Sequence, residues 1–175
     1  MSTAVHVTPT GIERFFGDEE IIVSKTDLQG RITYANDVFV RVSGYEEPEL
    51  IGAPHSLIRH PEMPRAVFKL LWETVADGKE IFAYVNNLSR TGEFYWVLAH
   101  VTPSLDRHAR IVGYHSNRRV PDRDKLAKVI PLYDELRAVE HRHADRRDGL
   151  VASMARLEAK LASAGMDYHE WVWTL

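Results

Sequence analysis

The chain has 175 residues, 45% of them hydrophobic, with 22 Lys and Arg against 25 Asp and Glu, a net charge of −3. This fits one domain with a real core and room for an appendage. The absence of cysteine excludes disulfides, thiol redox switching and thiolate metal sites. The charge shows no clustered basic face of the kind nucleic acids select. No stretch reaches the roughly 20 apolar residues of a membrane span. The opening MSTAVHVTPTGIERFFG lacks the basic and apolar regions of a signal peptide. The expected compartment is the cytoplasm, with no membrane or nucleic-acid partner.

Residues 1–17 are expected to form an N-terminal cap, with Ile12, Phe15 and Phe16 on one short helical turn against the domain. Residues 21–26, IIVSKT, are β-rich and end at the turn signal Asp27-Leu28-Gln29-Gly30; Arg31–Tyr34 is the returning strand. Asn36 and Asp37 offer an N-cap for a short helix ending at Gly44. A second short helix opens at Glu47-Pro48 and stops at Gly52.

The stretch HSLIRHPEMPRAVFKLLW, His55 to Trp72, then sets a stiff polar turn against an apolar helix. Pro64 suits a helix start, and Val67, Phe68, Leu71, Trp72 and Val75 recur at helical spacing. Apolar walls with a few fixed polar groups are the composition of a small-molecule pocket, although a solvated turn before a core helix has the same composition. Asp77-Gly78 ends this helix. Three β segments follow, Ile81–Leu88, Glu93–Thr102 and Arg110–Asn117, the first two joined by the hairpin Arg90-Thr91-Gly92. Antiparallel strands with the helices grouped on one face make the fold α+β. From Pro121 the pattern turns helical, through Leu126, Val129, Tyr133 and Leu136, then Leu150, Met154, Leu157 and Leu161. The second set fills only two heptads, too few for a coiled coil. The aromatic tail MDYHEWVWTL is costly to leave in water and is expected to dock on its own domain or on a partner subunit.

The runs YANDVFVRVSGYEEPELIGAPHSLIRHPEMPRAVFKLLW, GEFYWVLAHVTP and IVGYHSNRRV resemble the N-terminal PAS domain of bacterial aerotaxis receptors, and RHPEMP and GEFYWV are the most specific segments. The resemblance covers about residues 18–121. It implies a PAS fold, with a five-stranded antiparallel sheet, short helices and one longer helix on one face, and a helical extension over 122–175. It also implies a non-covalent FAD site that reports redox state or oxygen. Without cysteine, the cysteinyl–flavin photoadduct of LOV-type PAS photosensors is excluded. The receptors continue into a membrane anchor and a signalling domain; neither is seen here, so the extension is the expected dimerisation or output element. The expected partners are a second copy, through the cap and the C-terminal helices, and a separate signalling protein.

The resemblance assigns cofactor contacts to Arg59, His60 and Trp72, with Arg59 suited to a pyrophosphate by bidentate pairing. Glu62 stands where aspartate is found in the family, which puts its role in doubt. Asn36 and Asp37 match the family's A-N-D and are also normal helix caps; a mixed role is expected, with Asn36 the inward member at the cofactor. Asn86 and Asn87 point to opposite faces of a strand, and the family position favours Asn87 for the pocket. His55 is expected to brace the turn and to contribute to the cofactor site. Tyr95 and Trp96 likewise divide between the two faces. No catalytic or nucleotide-loop pattern supports an enzyme. His141 and His143, two apart on a helix, do not share a face and give no metal site. A haem sensor using His55 or His60 and a cofactor-free dimerisation module are the alternative functions.

Overall fold

The computed structural model describes residues 7–175. Strands β1 (Ile22–Thr26) and β2 (Ile32–Ala35) lead into helices α1 (Asp37–Ser43) and α2 (Glu47–Leu50), a 3-10 turn at His55–Ile58, and α3 (Arg65–Ala76). Strands β3 (Ile81–Leu88), β4 (Phe94–Leu105) and β5 (Ile111–Arg119) complete one five-stranded antiparallel sheet in the order β2-β1-β5-β4-β3. Helices α4 (Arg123–His141), α5 (Arg146–Ala164) and α6 (Tyr168–Thr174) follow.

The two faces of the sheet are read directly from register. Asn87 pairs with Tyr95, Val85 with Val97 and Ala83 with Ala99, and these residues face α1–α3. Asn86 pairs with Trp96, Tyr84 with Leu98 and Phe82 with His100, and these face the C-terminal helices. Tyr133 of α4 donates to the Tyr84 carbonyl at 2.7 Å and shares a 2.6 Å hydroxyl contact with Tyr168 of α6. Tyr168 and Val172 are buried and Trp173 packs edge-on to Phe82, so the aromatic tail docks on its own domain. The last strand runs two residues beyond its expected end, which brings Arg118 into the sheet.

The expected helical turn near Ile12 is not formed. After a bend at Gly11, residues 12–14 run along the start of β4, with Phe94 donating to the Ile12 carbonyl at 2.9 Å and Arg14 donating to the Phe94 carbonyl at 2.7 Å. The cause lies in the sheet. β5 ends with Arg119 opposite Leu98, so the backbone of Phe94 has no strand partner on that side, and buried backbone groups find partners elsewhere. Gly92 lets the segment cross the hairpin: a Cβ there would stand 2.3 Å from the Thr8 carbonyl oxygen. Phe16 packs against the core, while Ile12 and Phe15 are exposed. The first six residues of the expected cap lie outside the described residues.

Candidate functional site

A cavity of about 240 Å³ lies between α3 and the inner face of the sheet. Phe68, Leu71 and Trp72 of α3 form one wall, and Val85, Ala99 and Val101 of the sheet form the other. The helix phase that fills the core with Val67, Leu71 and Val75 turns Phe68 and Trp72 to the cavity side. Trp72 is 36% exposed and meets Tyr114 edge-on at 5.5 Å. A Cβ on Gly30 would stand 3.4 Å from that indole, so the loop after β1 closes against it.

The polar centre of the cavity is Arg118, on the central strand β5 between Ile22 of β1 and Ala99 of β4. It is 2% exposed, and its guanidinium lies 4.4 Å from the Phe39 ring centroid. Nη2 donates to Ser24 Oγ at 2.5 Å, while Nε and Nη1 have no hydrogen-bond partner among the described residues. Among the described residues no carboxylate pairs with it. Burial pushes its pKa down to about 10, with Tyr95 opposing, so it remains charged at neutral pH. An unpaired buried cation is costly.

Ser24 Oγ accepts from Arg118 and lies 3.1 Å from His55 Nε2; the hydroxyl can donate to that nitrogen or accept from it. Burial, and secondly the charge of Arg118, pushes the His55 pKa down to about 3. His55 is a neutral cavity wall stacked near Phe39 at 6.1 Å.

Arg59 reaches the cavity because its backbone bridges to Asn87 of β3. Its guanidinium lies 3.9 Å from the Phe68 ring centroid. Burial pushes its pKa down to about 10, with the Glu140 carboxylate opposing. Asn87 is 3% exposed and, among the described residues, its Nδ2 has no partner; Thr26 Oγ1 is likewise buried at this cavity without one.

The structure therefore brings His55, Arg59, Trp72 and Asn87 together and places two other expected residues elsewhere. Asn36 is the α1 N-cap: its Oδ1 accepts from Phe39 and Val23 at 3.0 Å each, and its Nδ2 donates to the Ile21 carbonyl at 2.8 Å. Its three side-chain hydrogen bonds all serve the β2–α1 corner, outside the cavity lining. His60 points to the other face of the sheet. Its Nδ1 accepts from the Glu62 backbone at 3.1 Å, and its ring lines a separate recess with Asn86, Trp96, Tyr133 and Arg137. Burial lowers its pKa, opposed by Glu62. Successive residues of an extended turn face opposite ways, so Arg59 and His60 divide between the faces as Asn87 and Asn86 do. Glu62 is exposed and pairs with Arg137 at 3.5 Å. Tyr95 is inward and fully buried, and Trp96 packs outward near Tyr133.

Sequence reasoning missed Arg118, Ser24, Thr26 and His115. Strand alternation offered a signal for one of them: Tyr114, Ser116 and Arg118 share a face of β5, and all line the cavity.

An antiparallel sheet with a helix-walled cavity on one face and a helical extension on the other defines a sensory domain of the PAS class. Residues 32–118 match the PAS fold family. The chain carries a PAS domain of the aerotaxis-receptor family: it is 44% identical over 121 residues to the aerotaxis receptor of Escherichia coli (strain K12), covering 69% of this chain and 24% of the receptor. The nitrogen fixation regulatory protein of Klebsiella pneumoniae is 28% identical over 99 residues, 57% of this chain and 20% of that protein. The chain thus spans about a quarter or less of these relatives. Among solved structures, the dark structure of the blue-light photoreceptor Aureochrome1 LOV superposes with a TM-score of 0.56 at 24% identity, covering 63% of this chain and 82% of that one; this likeness concerns the fold. Among the described residues no helix is long and apolar enough to cross a membrane.

Proposed function

We propose that the chain is a sensory module that holds FAD non-covalently in the α3–sheet cavity and signals its redox state by protein contact. The observation that carries this reading is Arg118: a buried, unpaired guanidinium with two nitrogens lacking partners, directed at an apolar-walled cavity. A flavin ring fits such a site, since its faces are apolar and its polar edge carries carbonyl acceptors. When bound, it supplies a ring that accepts electrons and gains charge and protons on that edge.

The residues divide the work. Arg118 donates to the polar edge and favours negative charge there. Ser24 holds the guanidinium in place, and His55, kept neutral, adds no competing cation. Asn87 presents a carboxamide that can donate or accept after rotation, which suits it to follow a ring atom that changes from acceptor to donor. Leu71, Val85 and Val101 cover the faces and exclude water. A cavity of about 240 Å³ would take a ring system, and the Arg59 guanidinium would suit the phosphates.

The site's histidines favour flavin over haem. His60 lies on the other face, and His55 Nε2 is already engaged with Ser24 Oγ. The module is read as cytoplasmic, acting on a separate signalling protein and self-associating through its N-terminal segment and C-terminal helices. The test is the visible spectrum of the purified protein after incubation with FAD, before and after anaerobic dithionite. Bound flavin gives bands near about 370 and 450 nm that bleach on reduction. A sharp Soret band from the purified protein, or a spectrum that added FAD leaves featureless after desalting, overturns the reading.

A further inference from the structure

Helix α3 has an unusual N-terminus. Its cap position is Pro64, which has no side-chain acceptor, so the first amides of the helix need a partner from elsewhere. Glu140, near the end of α4, supplies it: Oε1 accepts from the Ala66 backbone at 3.1 Å, and Oε2 accepts from Arg65 Nε at 2.9 Å. Arg65 Nη1 in turn donates to the Arg146 carbonyl, at the start of α5, at 2.6 Å. The Glu140 side chain is 4% exposed. A Cβ on Gly149 would stand 2.7 Å from the Glu140 carbonyl oxygen, so α5 is pressed against α4 at this point. Three helices therefore meet at one carboxylate, and that carboxylate sits at the positive end of the helix carrying Phe68, Leu71 and Trp72 into the cavity.

We infer that Glu140 is a positioning residue that couples the cavity-wall helix α3 to the α4–α5 hairpin, so that occupation of the cavity and docking of the hairpin reinforce each other. A displacement of α3 by the cavity's occupant must carry α4 and α5 with it or break a buried ion pair, and breaking one leaves an unpaired charge. Such coupling is reciprocal: if the occupant tightens the hairpin, loosening the hairpin weakens the occupant. The ligand arm of this inference rests on the flavin reading above.

The experiment is amide hydrogen exchange on the full chain with and without FAD, together with an FAD titration, for the wild type, Glu140→Gln and Arg65→Gln. In the wild type, FAD is expected to slow exchange in residues 126–140 and 146–161 as well as in α3. In either variant, FAD is still expected to protect the cavity strands, but protection of α5 is lost and affinity falls about 5- to 20-fold. Unchanged affinity with unchanged α5 protection in both variants overturns the inference. If the wild type takes up no FAD, the flavin reading fails separately, and Leu71→Ala replaces the ligand as a perturbation of the cavity wall. Its effect on α5 exchange is then expected in the wild-type background and absent with Glu140→Gln; equal effects in both backgrounds, or none in either, overturn the coupling. Two variants guard against misfolding, since Arg65→Gln leaves the carboxylate free to cap Ala66.

Discussion

Arg118 and Ser24 meet at 2.5 Å across adjacent strands β5 and β1, and among the described residues this is the one hydrogen bond the buried guanidinium makes. A cation so placed destabilises the ligand-free fold, because its desolvation is only partly offset. Replacing it with an apolar side chain of similar reach, Arg118→Met, is expected to leave the ligand-free protein as stable as the wild type or more stable by about 1–4 kcal/mol. Urea denaturation without flavin measures this. A loss of stability would mean that Arg118 serves the fold rather than a ligand.

His55 gives the domain a defined acid sensitivity. Its folded-state pKa is about 3 against an ordinary value of 6.5, so below pH 6.5 the unfolded chain binds a proton that the folded ring refuses. Its contribution is complete above pH 6.5 and is lost as the pH falls towards 3, with a slope of up to about 1.4 kcal/mol per pH unit. Glu93, held down at about 2 chiefly by its bonds from Thr91 and Ser89, acts only below the ordinary carboxylate value of 4.5. Between pH 6.5 and 4.5, His55→Gln is therefore expected to flatten the pH dependence of unfolding, leaving the smaller part due to His60. An unchanged slope would refute the neutral assignment of His55.

The C-terminal helices are held to the sheet by Tyr133, which bonds to the Tyr84 carbonyl and the Tyr168 hydroxyl in a buried site. Tyr133→Phe removes one oxygen and leaves two polar groups short of a partner. The expected cost is about 1–3 kcal/mol, with faster amide exchange in α6 and little change in α1. Uniformly faster exchange across the sheet would show that α6 docking is not separable from the core.

Asn87 is expected to serve response more than binding. Asn87→Ala removes the buried carboxamide whose Nδ2 lacks a partner and keeps the apolar walls. FAD binding should persist, while the difference in α3 exchange between oxidised and reduced samples should disappear. A variant that still switches fully would remove Asn87 from the mechanism.

Much of this architecture was legible in the sequence, for definite reasons. Alternation along β3 and β4 is enforced by burial on both faces, so Tyr95 and Trp96, and Asn86 and Asn87, separate as their spacing requires. The stripe Val67, Leu71, Val75 fixed the phase of α3 and with it the inward side of Trp72. What was not legible depended on direction without periodicity. Asn36 after a strand is equally a cap or a ligand, and only the positions of Val23, Phe39 and Ile21 decide between them. Arg59 and His60 are adjacent in a turn of six residues, and only the bridge between Arg59 and Asn87 tells which one reaches the cavity. Arg118 resembles a surface cation at the end of a strand until the two extra residues of β5 place it inside. The segment around Ile12 follows the unpaired edge of β4, a tertiary demand that local propensity does not encode.

The central claim is that Arg118 holds an acceptor-bearing flavin edge in the α3–sheet cavity. It is tested most directly by titrating FAD into the wild type and Arg118→Met in parallel, following flavin fluorescence and retention of FAD after desalting. The account expects saturable binding to the wild type and binding weaker by at least about 10-fold in the variant, the loss of a charged hydrogen bond of roughly 1.5–3 kcal/mol. Equal affinity in the two proteins, or no binding to the wild type at all, would contradict it.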